Sequence, residues 1–314
     1  MINAGIAGLG WWGKTLVEAV SGSSDRLRFV AGATRTHSDE TKAFTAEHGL
    51  DLRSSYDELI DDPKIDAVVL ATPHSMHADQ VVAAASKGKH VYCEKPFALT
   101  KAEAETAVDA VKKAGVALGL GYNRRWHPEM TKLRDQIHSG ELGVILHCEA
   151  TMTFPNALML KADAWRASRD ETPCGGLTPM GVHAIDGMID LCGLIDEVYC
   201  QSFRRAVEID AFSFQVYGSK GYVRLEGMTH VAGAPSEERR TRLFGNCIFK
   251  PLKGPAETWQ AATLDIVKAT LEDFAVAASG GTPFMITTDE MIHVAAVTEA
   301  IVKSAATHQI QKVP

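Results

Sequence analysis

An apolar run, Ile2–Ala7, opens the chain and breaks directly into Gly8-Leu9-Gly10-Trp11-Trp12-Gly13, after which a helical pattern begins at about Trp12. Few folds accept a strand that ends on glycines spaced in this way and passes into a helix. In the strand–turn–helix that starts a doubly wound parallel sheet, each glycine has a task. Gly8 permits the tight turn, Gly10 lets the backbone approach a pyrophosphate, and Gly13 lets the helix pack on the sheet. Leu9, Trp11 and Trp12 belong to the same turn, whose free N–H groups at the helix start face an anion. The glycine pattern alone is common; its place directly behind a strand gives it weight.

The next hundred residues keep the rhythm that this start implies. Ile2–Gly8, Leu27–Ala33, Ala67–Ala71, His90–Cys93 and Val116–Leu120 are short apolar runs. Lys14–Ser21, Thr41–His48, Ser55–Ile60, Met76–Lys87 and Lys101–Ala114 between them carry the wider apolar spacing of amphipathic helices. The expectation is an α/β Rossmann domain over residues 1–122. Beyond Asn123 the texture changes. A helix to about His138 leads into alternating strand patterns at Val144–Phe154, Glu197–Val207, Ala211–Tyr217, Tyr222–Glu226 and Arg242–Phe249. Gly218-Ser219-Lys220-Gly221 reads as a hairpin turn. Two late helices, Trp259–Ser279 and Thr288–Ala306, follow. Residues 123–314 are therefore expected to form an α+β domain on a largely antiparallel sheet.

Composition narrows the classes of function. With 46% apolar and 23% charged residues the chain has enough core for ordinary globular domains, and its net charge of -7 argues against nucleic acid or an anionic membrane as the main partner. There is no basic leader and no apolar run of transmembrane length, so a cytoplasmic location is expected. The six cysteines are scattered singly, without zinc-site spacing or the density of a disulfide scaffold, so no metal is expected and reduced, buried thiols are their simplest reading.

The chemistry should gather where open α/β sheets bind ligands, at the carboxyl ends of the strands. After the second strand, where an acid commonly accepts from the adenosine ribose, the chain has Thr34-Arg35-Thr36. A carboxylate would repel a 2′-phosphate, whereas Thr34 can donate to it and Arg35 can pair with it or stack on adenine. NADP(H) is favoured over NAD(H), unless Arg35 is a solvated surface charge. After the fourth predicted strand, Cys93-Glu94-Lys95-Pro96 sets a charged pair at the same edge. A lysine there can donate to a carbonyl or alkoxide oxygen, and the following proline restrains its backbone. An ordinary surface Glu-Lys pair is the alternative.

Several elements then occur in one order: Gly8–Gly13, Ala71-Thr72-Pro73 followed by His77, Glu94-Lys95-Pro96, Gly121 to Arg125, Trp165-Arg166, and Gly175-Gly176 through His183 and Asp186. In this order the chain resembles the Gfo/Idh/MocA-type oxidoreductases, the group related to glucose–fructose oxidoreductase and inositol 2-dehydrogenase, over nearly its whole length. The resemblance implies hydride transfer between nicotinamide and a carbon bearing the hydroxyl or carbonyl of a sugar, cyclitol or similar polyol. It implies that Lys95 orients the substrate oxygen and that Glu94 lies on the nicotinamide side. Thr72, Pro73 and His77 would shape the cofactor cleft, although His77 could instead help to start its helix. Trp165 and Arg166 would reach cofactor and substrate; a core tryptophan beside a surface arginine is the other reading. Asn123 and Arg125 are weaker cleft candidates. A homodimer or homotetramer through the second sheet is also implied.

His183, on a predicted helix Met180–Leu191, is the second catalytic candidate, because a histidine titrating near neutrality suits proton exchange with a hydroxyl. Asp186 and Asp190 return to roughly its face. Many members of the family have Asp four residues before this histidine; this chain has Pro179. Thr178 beside it can hydrogen-bond a substrate hydroxyl but supplies no charge. Two alternatives stay open: a dinucleotide-binding sensor without turnover, and an enzyme that holds and recycles its dinucleotide.

Overall fold

The computed structural model describes residues 1–153, 160–161, 163–203, 211–227 and 236–314. In chain order the elements are β1 (Ile2–Ala7), α1 (Trp11–Val20), β2 (Leu27–Ala33), α2 (Asp39–Glu47), β3 (Asp51–Arg53), α3 (Tyr56–Asp61), β4 (Ala67–Leu70), α4 (His77–Ser86), β5 (His90–Cys93), α5 (Lys101–Ala114) and β6 (Leu118–Leu120). Then come α6 (Pro128–His138), β7 (Ile145–Thr153), α7 (Val182–Cys192), β8 (Glu197–Val198), β9 (Ala211–Gly218), β10 (Gly221–Gly227), α8 (Ser236–Thr241), β11 (Asn246–Pro251) and β12 (Glu257–Gln260). Two long helices, α9 (Ile266–Ala278) and α10 (Thr288–Thr307), precede the short β13 (Gln311–Lys312).

The chain divides into two compact units, Met1–Gly121 with Val267–Glu299, and Tyr122–Ile266 with Ala300–Pro314. The first holds a six-stranded sheet of order β3-β2-β1-β4-β5-β6 whose paired strands are all parallel. The order reverses direction between β1 and β4, which makes the doubly wound topology expected from the sequence. All of β4 is buried, as a strand covered by helices on both faces must be. Sequence reasoning assigned residues 123–314 to the second domain, but Val267–Glu299 belongs with the first unit. Phe274 of α9 has no exposed surface, packs edge-on against Tyr92 of β5 at 5.7 Å, and closes over Gly119 of β6. Burying that ring stabilises the unit by about 1.5–3 kcal/mol.

In the second unit a five-stranded antiparallel sheet runs β12-β11-β10-β9-β7. Gly218 pairs with Gly221 across the Ser219-Lys220 loop, the hairpin the sequence announced. Alternate residues Phe212, Phe214 and Val216 of β9 and Val223 and Leu225 of β10 enter one core with Met130 and Leu133 of α6. Two expectations change. Trp259, expected to start a helix, lies in β12 opposite Cys247, and the helix begins at Ile266. Of the expected strand Glu197–Val207, Glu197–Val198 pairs with β13, and its last residues, like Phe154 of the expected Val144–Phe154, lie outside the described residues.

Candidate active site

The first unit brings four of the predicted elements to one edge of the parallel sheet. The Gly8–Gly13 turn follows β1, Thr34 and Arg35 follow β2, Thr72 and Pro73 follow β4, and Glu94 and Lys95 follow β5. Strand order places these four ends side by side. The backbone stitches them together through Gly8 N–H to Ala33 O at 2.8 Å, Ala71 N–H to Ala7 O at 2.8 Å and Glu94 N–H to Leu70 O at 2.9 Å.

The turn explains its own glycines. Gly8 has φ +97°, and a Cβ there would stand 2.5 Å from the Ala71 carbonyl oxygen. At Gly13 a Cβ would stand 1.8 Å from the Gly8 carbonyl oxygen, so this glycine lets α1 close on the turn itself rather than on the sheet in general. Gly10 is different: a Cβ would meet no protein atom within 4 Å. It caps α1 without a side-chain acceptor, and the first turn of the helix carries no acid. The opening N–H groups of α1, the positive end of the helix dipole and clearance at Gly10 make a cradle that fits a dinucleotide pyrophosphate. Leu9 is buried, Trp12 is half-buried and Trp11 is 54% exposed, with the two indole rings 5.5 Å apart.

Thr34 is half-buried and Arg35 exposed. The loop continues to Ser38, whose hydroxyl accepts from Thr41 N–H and caps α2. A residue missed in the sequence enters here. Lys14, in the first turn of α1, pairs with the exposed carboxylate of Glu40 and lies 5.4 Å over the Phe44 ring. That ammonium holds the Glu40 carboxyl below its usual range.

His77 has no exposed surface. Its Nδ1 is 2.7 Å from the Pro96 carbonyl oxygen and its Nε2 is 3.1 Å from that of Thr72. Thr72 Oγ1 in turn donates to Gln80 Oε1 at 2.5 Å. Buried in this way, His77 is a brace between the segment after β4 and the segment after β5, and its effect on a cleft is to position Thr72 and the Lys95-Pro96 segment. The Lys95–Pro96 peptide bond is cis. Glu94 is 4% exposed and accepts from Lys95 N–H at 3.2 Å, its carboxylate filling the space where Gly121 would have a Cβ, while Lys95 itself is half-buried. Close by, burial and then the charge of Glu94 push the Tyr92 hydroxyl and the Cys93 thiol well above their ordinary values.

In the second unit His183 is the second residue of α7, 5% exposed, with its ring edge-on to Tyr122 at 6.1 Å. Asn123, 6% exposed, opens the 3-10 turn Asn123–Trp126 that follows Tyr122. Asp186 and Asp190 do share a face, and it is an arginine face. Arg125 Nε and Nη2 reach Asp186 at 2.7–3.0 Å, and Arg134 Nη2 reaches Asp190 at 2.6 Å. Arg125 is thus part of a buried ion-pair network, not an open cleft residue; breaking such a pair costs about 3–5 kcal/mol. Thr178 also departs from its expected part. It has no exposed surface and its Oγ1 accepts from Cys174 N–H at 3.1 Å, so its hydroxyl closes the turn before α7 and is not available to a substrate. Trp165 is half-buried, and the exposed Arg166 stacks on its ring at 4.2 Å. Among the described residues no cluster of metal-ligating side chains occurs, and no helix is long and apolar enough to cross a membrane.

This arrangement, a pyrophosphate cradle beside a half-buried lysine at a parallel-sheet edge, defines a nucleotide-dependent class of fold, and comparison with known proteins identifies the class. Residues 2–122 match the GFO/IDH/MocA oxidoreductase family with its NAD-binding Rossmann fold, and residues 130–245 match the GFO/IDH/MocA C-terminal domain. The chain belongs to the Gfo/Idh/MocA family of oxidoreductases. It is 30% identical over 310 residues to the rhizopine catabolism protein MocA of Rhizobium meliloti, covering 94% of this chain and 92% of that protein. Among solved structures it is similar to an oxidoreductase of Desulfitobacterium hafniense assigned as NADPH-dependent, with a TM-score of 0.87 and 21% identity over 99% of this chain and 97% of that one. A levoglucosan dehydrogenase solved with NADH and L-sorbose has a TM-score of 0.80 and 22% identity over 100% of this chain and 99% of that one.

Proposed function

We propose that the protein is a dehydrogenase or reductase acting on CH–OH groups, which uses NADP(H) in preference to NAD(H) and works on a sugar, cyclitol or related small polyol. The observation that carries this reading is Lys95, half-buried beside buried Glu94 on the same sheet edge as the Gly8–Gly13 cradle. Family membership supports the reaction class, and the levoglucosan dehydrogenase is a precedent for a sugar and a nicotinamide on this fold.

When bound, the nicotinamide supplies or accepts the hydride. The Gly8–Gly13 backbone would hold the pyrophosphate, with Leu9, Trp11 and Trp12 flanking it. Thr34 and Arg35 would take the 2′-phosphate; Thr72, Pro73, Glu94 and Arg166 would line the rest of the dinucleotide site, with His77 behind them. Lys95 Nζ donates to the substrate oxygen and stabilises negative charge as it develops. His183 exchanges the proton of that oxygen, and Asn123 and Trp165 orient the substrate. With Pro179 where many relatives have an acid, Lys95 and His183 share the acid–base work. Thr178 has no part in this proposal. We also propose that the chain self-associates through the polar face of its five-stranded sheet.

The test is NADPH- and NADH-linked turnover across a panel of sugars and cyclitols, followed by Lys95→Ala on whichever substrate is used. A loss of about 10²–10⁴ in kcat, with the fold and NADPH binding retained, is expected. Full turnover by Lys95→Ala overturns the role of Lys95, and dinucleotide binding without turnover of any polyol overturns the substrate class.

A further inference from the structure

A polar group taken out of water either finds a hydrogen-bond partner or carries the cost of having lost one, and the great majority find one. Trp12 does not. Its Nε1 is buried with no hydrogen-bond partner among the described residues, although the ring that carries it is only half-buried. Tryptophan has one donor and no acceptor, so the whole polar capacity of this side chain is unused. Arg53 Nε is unmatched as well, but the same guanidinium is held through Nη2 by Asp62 at 2.7 Å.

The place of this donor in the chain gives it meaning. Trp12 is the second residue of α1, two past Gly10 and one before Gly13. Its surroundings in the turn offer no acceptor: Gly10, the cap of α1, has no side chain, and the first turn carries no acid. The main chain is already committed, since the Thr15 hydroxyl donates to the Trp11 carbonyl oxygen at 3.1 Å and Gly13 closes against the Gly8 carbonyl. The anion this turn accommodates is a dinucleotide pyrophosphate, for which Gly10 leaves the space. A phenylalanine ring would fill much of the same volume as Trp12 with no donor to leave unmatched.

On the reading of the Gly8–Gly13 turn as the dinucleotide site, we propose that Trp12 is a pyrophosphate-binding residue whose indole N–H donates to an anionic phosphate oxygen, an acceptor that the fold itself does not supply. The opening N–H groups of α1 then share the anion with one side-chain donor. Presenting the N–H takes a turn of the indole about its side-chain bonds. There is room for that movement at the surface: the Trp12 ring is half-buried, and Trp11, whose ring lies 5.5 Å away, is 54% exposed.

The experiment follows the indole N–H itself. Isotope-labelled full-length protein has five tryptophan indole resonances to observe by NMR. That of Trp12 is assigned through the wild-type backbone and checked by its loss in Trp12→Phe. With saturating ADP-ribose, which has the pyrophosphate and no nicotinamide, the Trp12 resonance should move downfield in both proton and nitrogen, and NADP+ should move it in the same way. By calorimetry, Trp12→Phe should weaken both ligands by about tenfold or more, the worth of a hydrogen bond to a charged group. A shift with NADP+ alone puts the acceptor on the nicotinamide half and overturns the pyrophosphate assignment. An unmoved Trp12 resonance in protein that binds both ligands, or unchanged affinity in a folded Trp12→Phe protein, overturns the role of Trp12 and leaves the dinucleotide site standing. Failure of the wild type to bind either ligand overturns both. The wild-type spectra decide the question even where the variant does not fold, and none of these readouts depends on turnover.

Discussion

Lys14 is held by Glu40 and lies over the Phe44 ring, so its charge is largely answered from within the fold, whereas Arg35 is exposed at the end of β2. The two cations should therefore contribute differently to cofactor choice. Arg35→Ala is expected to weaken NADPH binding by about tenfold or more, the worth of a charge-assisted hydrogen bond, with NADH little changed. Glu40→Gln releases Lys14 and should tighten NADPH up to about fivefold, the scale of a solvent-screened pair. Fluorescence titration of both nucleotides checks this; an equal loss for NADPH and NADH in Arg35→Ala would mean that the arginine serves the adenine and not the phosphate. At this scale the backbone part of the candidate site was legible, because Gly8, Gly13 and the strand ends obey rules that act within a few residues. Side-chain partnerships across long separations were not. Nothing near Thr178 announces that its hydroxyl turns inward to Cys174, and nothing near Asp186 announces Arg125, sixty-one residues earlier.

Among the elements, α6 depends on an unusual cap. His127 Nδ1 accepts from Glu129 N–H at 3.2 Å and the ring, without exposed surface, packs edge-on to Phe244 at 5.0 Å. Burial lowers its pKa from 6.5 to about 4. The sign follows: below 6.5 the unfolded chain takes up a proton that the folded one refuses, so this stability is complete above 6.5, declines as pH falls and is lost by about 4. The amount is about 3 kcal/mol. His127→Asn keeps a capping acceptor and cannot titrate, so urea midpoints measured between neutral pH and pH 4 should fall less steeply than in the wild type. An unchanged acid slope would show that other groups set it. The same helix explains the strand that sequence patterns missed. Glu129 accepts from Trp259 Nε1 at 2.7 Å and Ala262 N–H at 3.0 Å, and Lys132 lies 3.6 Å over the Trp259 ring. These contacts hold β12, four residues long, against a local composition that reads equally well as the start of a helix.

For the whole molecule, the sheet of the second unit has one face packed into its core and another carrying His147 and Glu149 on β7, Gln215 and Tyr217 on β9, and Tyr222 and Arg224 on β10. Tyr217 lies 5.8 Å from His147 and 5.5 Å from Tyr222, a partly exposed aromatic patch among polar groups. Sedimentation equilibrium is expected to give a dimer or a tetramer, and Tyr217→Asp should shift it toward the monomer without loss of secondary structure; a wild-type monomer at every concentration would sink the proposed self-association. The rim of this sheet bears on the form such an assembly takes. Along β7 the pairing with β9 slips between Ile145 and His147, and Leu146, 68% exposed, stands at the irregularity. A strand with a broken register offers a neighbouring chain a poor ladder to continue. Growth by adding strands at that rim is open-ended, whereas contact through a sheet face closes on itself about a two-fold axis. The slip at Leu146 thus bears on whether this protein makes a counted particle or a fibre: it discourages the contact that has no last member.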